Sequence, residues 1–319
     1  MTAEVVASPT APARTIRDLQ PLPAQPVPHL GLVEAPRAVR SLAVLGDSAP
    51  AGVGDPVPGG GWRGFGPLLH DSLGGAHAVR YANLSSLGAR MACVRREQLP
   101  AALEMAPDVA VVLVGMNDTL RSDFDPAQLR RDYEAVVGSL RACGTTVLTV
   151  RFHDHSRVFW MPGPLRRALR QRIAELNAVI DAVVAGHGIG CLDLDLMPGG
   201  YDRETWSVDR LHPSELGHRM LADNFGVMLE SRGYRVVCPV SLDSQGGREI
   251  TVLHRVLWLL FKGLPWLASR GHDLVTYALS VLARELWRAV TRADSRRTDS
   301  HRAATRPGPR ASRRRRSAS

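Results

Sequence analysis

The chain has 319 residues, of which 45% are hydrophobic and 22% charged, a composition typical of one or two soluble globular domains. No uncharged apolar run approaches the roughly 18 residues that a membrane-spanning helix needs, which argues against an integral membrane protein. The formal net charge is +9, but residues 292–319 hold ten arginines and two aspartates, so the rest of the chain is nearly neutral. The charge therefore gives no indication of a body that binds nucleic acid.

The N-terminal residues 1–38 are rich in Pro and Ala, and they lack the basic start and apolar stretch of a signal peptide. Such a segment cannot bury enough apolar surface to offset the entropy lost on ordering, so we predict that it is disordered. A cytoplasmic location is the expectation. Cys93, Cys143, Cys191 and Cys238 lie far apart without a CxxC pair, which predicts buried thiols rather than disulfides or a zinc ribbon.

From Ser41 onward, short β-branched runs alternate with longer segments of helical period, which is typical of βαβ units. The predicted strands are Ser41–Gly46, Val79–Asn83, Val109–Gly115, Thr145–Arg151 and Ile189–Asp193. The predicted helices are Trp62–Ser72, Arg95–Met105, Pro126–Ala142, Pro164–His187 and Pro213–Arg232, the last with its proline at the first helical position. We therefore predict an α/β fold, a three-layer α/β/α sandwich with a five-stranded parallel sheet in flavodoxin-like order.

Ser48 is the first candidate site residue, because it ends the motif Gly46-Asp47-Ser48 at the carboxyl end of the first predicted strand. Ligands of open α/β sheets bind at that edge. A serine hydroxyl is a weak nucleophile that needs a base, and the base needs an orienting group. Asp209 and His212 are three residues apart, so one turn places the carboxylate and the imidazole on the same side. The alternatives are a Gly-Asp-Ser turn and a structural histidine.

Acyl transfer also requires hydrogen-bond donors for the negative charge that develops on the carbonyl oxygen. Gly88 follows the second predicted strand and, having no Cβ, lets a substrate approach the backbone. Asn117 follows the third strand and can offer its NH₂ group, although Asn117-Asp118 is equally typical of a helix cap. His153-Asp154-His155 fits no metal-ligand pattern, and Gly59-Gly60-Gly61 fits no phosphate loop.

Four short motifs thus follow separate predicted strands in order, and together they resemble the SGNH hydrolases, also called the GDSL esterase/lipase family. The corresponding segments are Gly46-Asp47-Ser48, Asn83–Gly88, Gly115-x-Asn117-Asp118 and Asp209-x-x-His212. The resemblance covers roughly residues 40–232 and implies the SGNH hydrolase fold, with neither a metal nor a cofactor. Ala49 stands where the family name has leucine, which leaves the shape of the acyl pocket open.

The resemblance also implies a role for each matched residue. Ser48 would be the nucleophile, His212 the general base and then acid, and Asp209 the group that orients His212. The backbone N–H groups of Ser48 and Gly88 and the side chain of Asn117 would form the oxyanion hole. Asp47 and Asp118 are expected to hold loops by hydrogen bonding.

These motifs predict a serine esterase that cleaves a small-molecule or lipid carboxylic ester through an acyl-enzyme on Ser48. Two alternatives stay open. One is an acyltransferase that uses the same site and passes the acyl group to a sugar or lipid hydroxyl. The other is a membrane-associated protein without catalytic activity.

The sequence divides into the disordered segment 1–38, a hydrolase domain at 39–235, an amphipathic helical extension at 236–291 and a disordered Arg-rich tail at 292–319. The extension carries tryptophans ahead of the arginines of the tail. This pattern is compatible with helices that pack on the body, which we favour, or with peripheral contact to an anionic membrane. Specific binding of nucleic acid is not expected, because arginine runs bind it nonspecifically.

Overall fold

The structure is a computed structural model that describes residues 35–158, 163–245, 283 and 287. The sheet and helices described below lie in a compact unit that begins at Pro36. The predictions for residues 1–34 and for the Arg-rich tail lie outside the described residues. Of the predicted extension, the structure describes residues 236–245 together with Ala283 and Trp287, which are both helical and exposed.

Five parallel strands form one sheet, namely β1 (Ser41–Gly46), β2 (Arg80–Asn83), β3 (Val109–Leu113), β4 (Thr146–Arg151) and β5 (Gly190–Asp193). Their spatial order is β2-β1-β3-β4-β5, which is the flavodoxin-like order. In the centre, β1 and β3 are buried at every position, and the register sets Leu42 against Val109 and Gly46 against Leu113. The predicted fold class is confirmed.

Helices cover both faces of this sheet. They are α1 (Phe65–Ser72), α2 (Met91–Cys93), α3 (Leu99–Met105), α4 (Met116–Thr119), α5 (Pro126–Ala142), α6 (Gly163–His187) and α7 (Glu215–Glu230). A π-helical turn at Val94–Gln98 joins α2 to α3, so this helical segment starts earlier than the predicted Arg95. α1 packs on α7, whereas α5 packs on both α3 and α6. Within the described residues, no helix is long and apolar enough to cross a membrane.

The structure also corrects the predicted starts of α1 and α7. α1 begins at Phe65 rather than at Trp62, because Trp62 pairs with Pro56 in an isolated β-bridge. α7 begins at Glu215, and Pro213 is not its first helical residue, because Pro213 pairs with Trp206. Both starts are displaced by bridges to residues outside the helix, which helical periodicity does not report.

The prediction that the cysteines are buried is wrong. All four are free thiols, but Cys143 and Cys238 are exposed, and Cys93 and Cys191 are half-buried. Cys143 follows the last residue of α5, where a helix end meets solvent. Cysteine content alone therefore does not locate core positions in this chain.

Residues 236–245, here called the return segment, run from the end of α1 to the start of α7. Near its start, Val237 and Cys238 both donate backbone N–H bonds to the Ser72 carbonyl at the end of α1, at 2.8 and 3.1 Å. At its end, the Gln245 N–H donates to a carboxylate oxygen of Glu215, at the start of α7, over 2.8 Å. The return segment thus brings the chain back to the carboxyl edge of the strands.

Candidate active site

The residues singled out in the sequence lie on loops at the carboxyl edge of the sheet. Ser48 follows β1, Gly88 follows β2, and Asn117 belongs to α4, which begins three residues after β3. Asp209 and His212 lie on the loop between β5 and α7. The parallel strands bring these distant segments to one edge, as expected for an open α/β sheet.

An unbroken hydrogen-bonded chain joins Ser48, His212 and Asp209. The Ser48 Oγ lies 2.7 Å from His212 Nε2, and His212 Nδ1 lies 2.6 Å from Asp209 Oδ2. Because Asp209 is a carboxylate, it accepts from Nδ1–H, which leaves Nε2 free to accept from the serine hydroxyl. The side chains of His212 and Asp209 are only 14% and 10% exposed, so bulk water screens the pair weakly.

Asp209 is held in its ionised form. Burial raises its pKa, but hydrogen bonds and charge from His212, together with the Ser207 hydroxyl, lower it to about 2. Its Oδ1 also accepts the backbone N–H groups of Leu211 and His212, at 2.9 and 3.0 Å. These bonds fix the carboxylate on the side of the imidazole and favour the Nδ1–H tautomer.

The loop that carries Asp209 and His212 is a closed turn rather than a helix. Its ends are joined by the Trp206–Pro213 bridge and by a 2.9 Å bond from the Ser207 N–H to the His212 carbonyl. Arg210, between the two site residues, has φ 57°, a left-handed conformation that is uncommon for a residue other than glycine. The surrounding bonds therefore hold a strained backbone in place.

The loop after Ser48 is anchored to the start of α7. The buried His218 lies with its Nε2 3.1 Å from the Val53 carbonyl. Nearby, the guanidinium of Arg63 donates to the fully buried Asp55 and to Glu215. These contacts hold the loop after Ser48 against α7, the helix that follows His212. Ser48 and His212 are therefore both positioned by α7.

The three oxyanion-hole candidates differ in their present partners. Asn117 Nδ2 donates to Asp47 Oδ2 over 3.3 Å and to the Ala89 carbonyl over 3.1 Å. The backbone N–H groups of Ser48 and Gly88 have no acceptor among the described residues. The bond to Ala89 keeps the Gly88 loop next to Asn117, and two donors are left for a substrate oxygen.

Asp47 and Asp118 both organise neighbouring loops. Asp47 is buried, which raises its pKa to about 7 even though the Ala49 N–H and the Asn117 amide donate to it. Asp118 accepts from the Met91 N–H at 3.1 Å, and burial likewise raises its pKa. Each carboxyl group therefore contacts a loop that carries a candidate site residue.

A pocket of about 70 Å³ opens beside Ser48 and His212. Its polar lining residues are Asp47, Ser48, Asn117, His153, His155 and His212, and the rest of its wall is apolar, formed by Ala49, Leu113, Met116, Leu120, Phe152, Leu194, Trp206, Leu211, Pro213 and Leu221. Sequence reasoning considered His153 and His155 only as metal ligands and missed them as pocket residues. Their position directly after β4, at the carboxyl edge, was the available signal.

Within the described residues, no group of three or more His, Cys, Asp and Glu side chains is arranged to hold a metal ion. His153 and His155 contact one another, and their neighbours in the pocket wall are aromatic rings. Aromatic rings supply no ligands for the open positions of a zinc or iron site.

A Ser–His–Asp constellation is found in serine hydrolases of several unrelated folds, and α/β sheets that carry it at their carboxyl edge are among them. The family model for the GDSL-like Lipase/Acylhydrolase family matches residues 44–220, more than half of the chain. The chain belongs to this family and is a carboxylic ester hydrolase. No curated protein matches the chain.

Several solved structures are similar to this chain. TesA is 25% identical, with a match that covers 60% of this chain and 99% of TesA at a TM-score of 0.47. A lipase/acylhydrolase from Enterococcus faecalis is 22% identical, with coverage of 60% and 96% and a TM-score of 0.45. The psychrotrophic esterase EstA from Pseudoalteromonas sp. is 15% identical, with coverage of 60% and 98% and a TM-score of 0.46.

Proposed function

We propose that the chain hydrolyses carboxylic esters through an acyl-enzyme on Ser48, with His212 as general base and Asp209 as its orienting group. The observation that carries the proposal is the position of the His212 ring, which contacts Ser48 Oγ at 2.7 Å and Asp209 Oδ2 at 2.6 Å. Both distances lie within hydrogen-bond range, so a proton can pass from the hydroxyl to the imidazole without a conformational change.

The reaction then proceeds in two displacements. Ser48 Oγ attacks the ester carbonyl while its proton moves to His212 Nε2, and the ionised Asp209 stabilises the imidazolium that forms. The tetrahedral intermediate collapses when His212 gives this proton to the leaving alkoxide, which departs as the alcohol. A water molecule next loses a proton to His212 and attacks the acyl carbonyl, which releases the acid and restores the Ser48 hydroxyl.

The negative charge on the carbonyl oxygen is stabilised by the backbone N–H groups of Ser48 and Gly88 and by Asn117 Nδ2. The support for this role is that both backbone donors have no acceptor among the described residues. The Asn117 bond to Asp47 is long, at 3.3 Å, so the developing oxyanion can replace Asp47 as an acceptor.

The substrate proposed for this site is a small-molecule or lipid ester whose acyl part enters the pocket beside Ser48. The apolar walls support this orientation, because burial of a hydrocarbon acyl group against them is favourable. The alcohol part would then face the open side of the site.

The domain proposed to carry this activity is residues 39–235. Residues 236–291 are proposed as an extension that packs on this domain or contacts an anionic membrane.

The test is the release of p-nitrophenol from p-nitrophenyl butyrate by the purified chain and by Ser48→Ala. We expect the variant to lose activity by at least about 10³-fold, because the nucleophile is gone while binding and the oxyanion donors stay. Ser231→Ala is the matched control, since this exposed hydroxyl lies beyond the far end of α7 and donates to the Met228 carbonyl. It should retain full activity.

Labelling identifies the nucleophile directly. A fluorophosphonate should add covalently to the wild type and to Ser231→Ala, but not to Ser48→Ala, as read by intact mass. Equal hydrolysis by the wild type and Ser48→Ala would overturn the proposal.

Adding an alcohol to the assay separates hydrolysis from acyl transfer. The amounts of new ester and of free acid are compared, because the alcohol and water compete for one acyl-enzyme.

A further inference from the structure

Two histidines in the pocket wall have no part in the proposed mechanism. The side chains of His153 and His155 line the same pocket as Ser48 and His212, and these residues are only 4% and 3% exposed. His153 Nε2 lies 2.9 Å from His155 Nδ1. Both rings pack on Trp206, with ring centroids 4.8 and 5.0 Å from it. The pair is therefore a fixed part of the wall.

Both rings are neutral at physiological pH. Burial lowers the pKa of His153 to about 4, with a smaller opposing effect from Asp195. Burial and the neighbouring His153 lower the pKa of His155 to about 3. Among the described residues that line the pocket there is no lysine or arginine, and the two imidazoles present polar nitrogen without charge.

One nitrogen of this wall has an unused hydrogen-bonding capacity. His153 Nε2 is taken by His155, but His153 Nδ1 has no hydrogen-bond partner among the described residues. In an empty pocket, water can satisfy this nitrogen. A hydrocarbon chain that displaces the water leaves the nitrogen unpaired, and an unpaired buried polar group is costly.

We propose that His153 is a specificity-determining residue that favours esters whose short acyl group carries a hydroxyl. The inference rests on the proposed function, since it takes the pocket beside Ser48 as the acyl site. A hydroxyl both donates and accepts, so it pairs with the His153 Nδ1 in either tautomer. The apolar remainder of the wall covers the carbon atoms of the same acyl group.

The chemistry of the pocket excludes two other acyl classes as preferred substrates. An acyl group that ends in a carboxylate would bury a negative charge beside Asp47, and none of the described lining residues is a lysine or arginine that could pair it, which is strongly unfavourable. A purely hydrocarbon acyl group fits the walls but forfeits the hydrogen bond to His153. The hydroxyacyl group is the class that satisfies both the apolar and the polar part of the wall.

The experiment compares ethyl butyrate with ethyl 2-hydroxybutyrate and ethyl 3-hydroxybutyrate, using the full chain and titration of the acid released. Each kcat/KM is divided by the rate constant for alkaline hydrolysis of the same ester, which removes differences in intrinsic reactivity. We expect the wild type to prefer at least one hydroxy ester over butyrate by about tenfold, the size of one buried hydrogen bond.

Three variants assign that preference to one nitrogen. His153→Phe keeps the ring and its packing but removes both nitrogens, so the preference should vanish while ethyl butyrate is still cleaved. His153→Asn places a polar atom close to the Nδ1 position and should restore the preference. His70→Phe is the matched control, because this buried ring contacts the Val79 carbonyl and does not line the pocket. It should leave the preference unchanged.

The outcomes are separable from failure of the proposed function. If the wild type cleaves the esters without preferring either hydroxy ester, the inference is wrong, whatever the variants do. It is also wrong if His153→Phe retains the wild-type ratio. If no ester is cleaved, or if Ser48→Ala cleaves them like the wild type, the proposed esterase mechanism itself fails. If His153→Phe does not fold, the decision rests on two other measurements. These are the preference of the wild type for hydroxy esters over ethyl butyrate and the same preference in His153→Asn.

Discussion

At the scale of single residues, Asp47 combines burial with a hydrogen bond to a proposed oxyanion donor. It lies next to the proposed nucleophile, and it accepts from the amide of Asn117. Burial raises its pKa from 3.8 to about 7, so the folded chain holds this proton more tightly than the unfolded chain does. Between these two pH values, folding takes up a proton at Asp47.

The sign of the pH effect follows from this uptake. Because the native state binds more protons at Asp47, the contribution of this residue to stability falls as pH rises from about 4 to about 7, then levels off. The slope for one full proton is about 1.4 kcal/mol per pH unit. Urea unfolding of the wild type and Asp47→Asn from pH 5 to pH 8 gives the difference between their free energies of unfolding at each pH. Groups that titrate alike in both proteins cancel in this difference.

We expect Asp47→Asn to gain stability relative to the wild type as pH rises through this range. The side-chain oxygen of the introduced amide can still accept from Asn117, so esterase activity at pH 8 should change by less than about tenfold. A difference in unfolding free energy that stays constant from pH 5 to pH 8 would show that Asp47 does not titrate there.

At the scale of elements, the end of β1 lies against β3 at the point where the loop that carries Ser48 begins. Gly46 has φ 141°, and a Cβ built on it would lie 1.9 Å from the Leu113 carbonyl oxygen of β3. A side chain at this position would clash with β3, and its backbone φ is one that L residues rarely adopt. Any substitution therefore requires the strands to move. Since Ser48 follows two residues later, such a movement displaces the proposed nucleophile.

Gly46→Ala and Gly59→Ala form a matched pair that separates crowding from backbone strain. Gly59 also has a positive φ, 89°, but a Cβ there meets nothing within 4 Å. We expect Gly59→Ala to cost about 1 kcal/mol of unfolding free energy, and Gly46→Ala to cost several kcal/mol more and to lower kcat. Similar losses in both variants, measured by urea unfolding, would mean that the β1–β3 contact adjusts without penalty.

The elements also show which parts of the fold the sequence predicts. Strands β1 to β5 lie within two residues of their predicted bounds. For β1, β3 and β4 the reason is that central strands buried on both faces are apolar runs, whereas the edge strands β2 and β5 are only partly buried. The starts of α1 and α7 were missed, since Trp62 and Pro213 form bridges to residues of neighbouring loops. Local periodicity contains no information about such pairings.

The candidate site likewise has features that the sequence predicts and features that it does not. The spacing of Asp209 and His212 is local, so a turn alone explains their proximity. The 2.7 Å contact of His212 with Ser48 joins residues 164 positions apart and was inferred from a family resemblance, not from periodicity. The position of His153 and His155 directly after β4 places them at the carboxyl edge, but their packing on Trp206 depends on how the loops after β4 and β5 meet, which the sequence does not report.

At the scale of the whole molecule, the return segment links the body to the chain beyond residue 245. Arg219, only 5% exposed, donates to the Ser241 and Gln245 carbonyls at 2.9 and 2.7 Å, and Arg63 donates to Gln245 at 2.8 Å. Two guanidinium groups and the Glu215 carboxylate thus hold Gln245 beside the residues that follow His212. Gln245 therefore lies at the carboxyl edge of the sheet, near the candidate site.

Two truncations test this attachment. A chain that ends at Arg235 loses the Ser241 and Gln245 carbonyls that accept from the buried Arg219 guanidinium and leaves it only the Glu215 carboxylate, whereas a chain that ends at Gln245 keeps all three acceptors. We expect the shorter chain to melt about 5–10 °C below the longer one, because unpaired buried donors are costly. Equal melting temperatures would show that the return segment contributes nothing to stability.

The longer truncation also decides between the two roles proposed for the extension. If the extension contacts an anionic membrane, the chain that ends at Gln245 should hydrolyse a soluble ester at the full rate but lose co-sedimentation with phosphatidylserine vesicles. The full chain should lose that binding in high salt, because ten arginines lie in residues 292–319. If the extension instead packs on the body, the truncated chain should melt at a lower temperature than the full chain. A chain that ends at Thr291, which keeps the extension but lacks the Arg-rich tail, should then not bind the vesicles at any salt concentration.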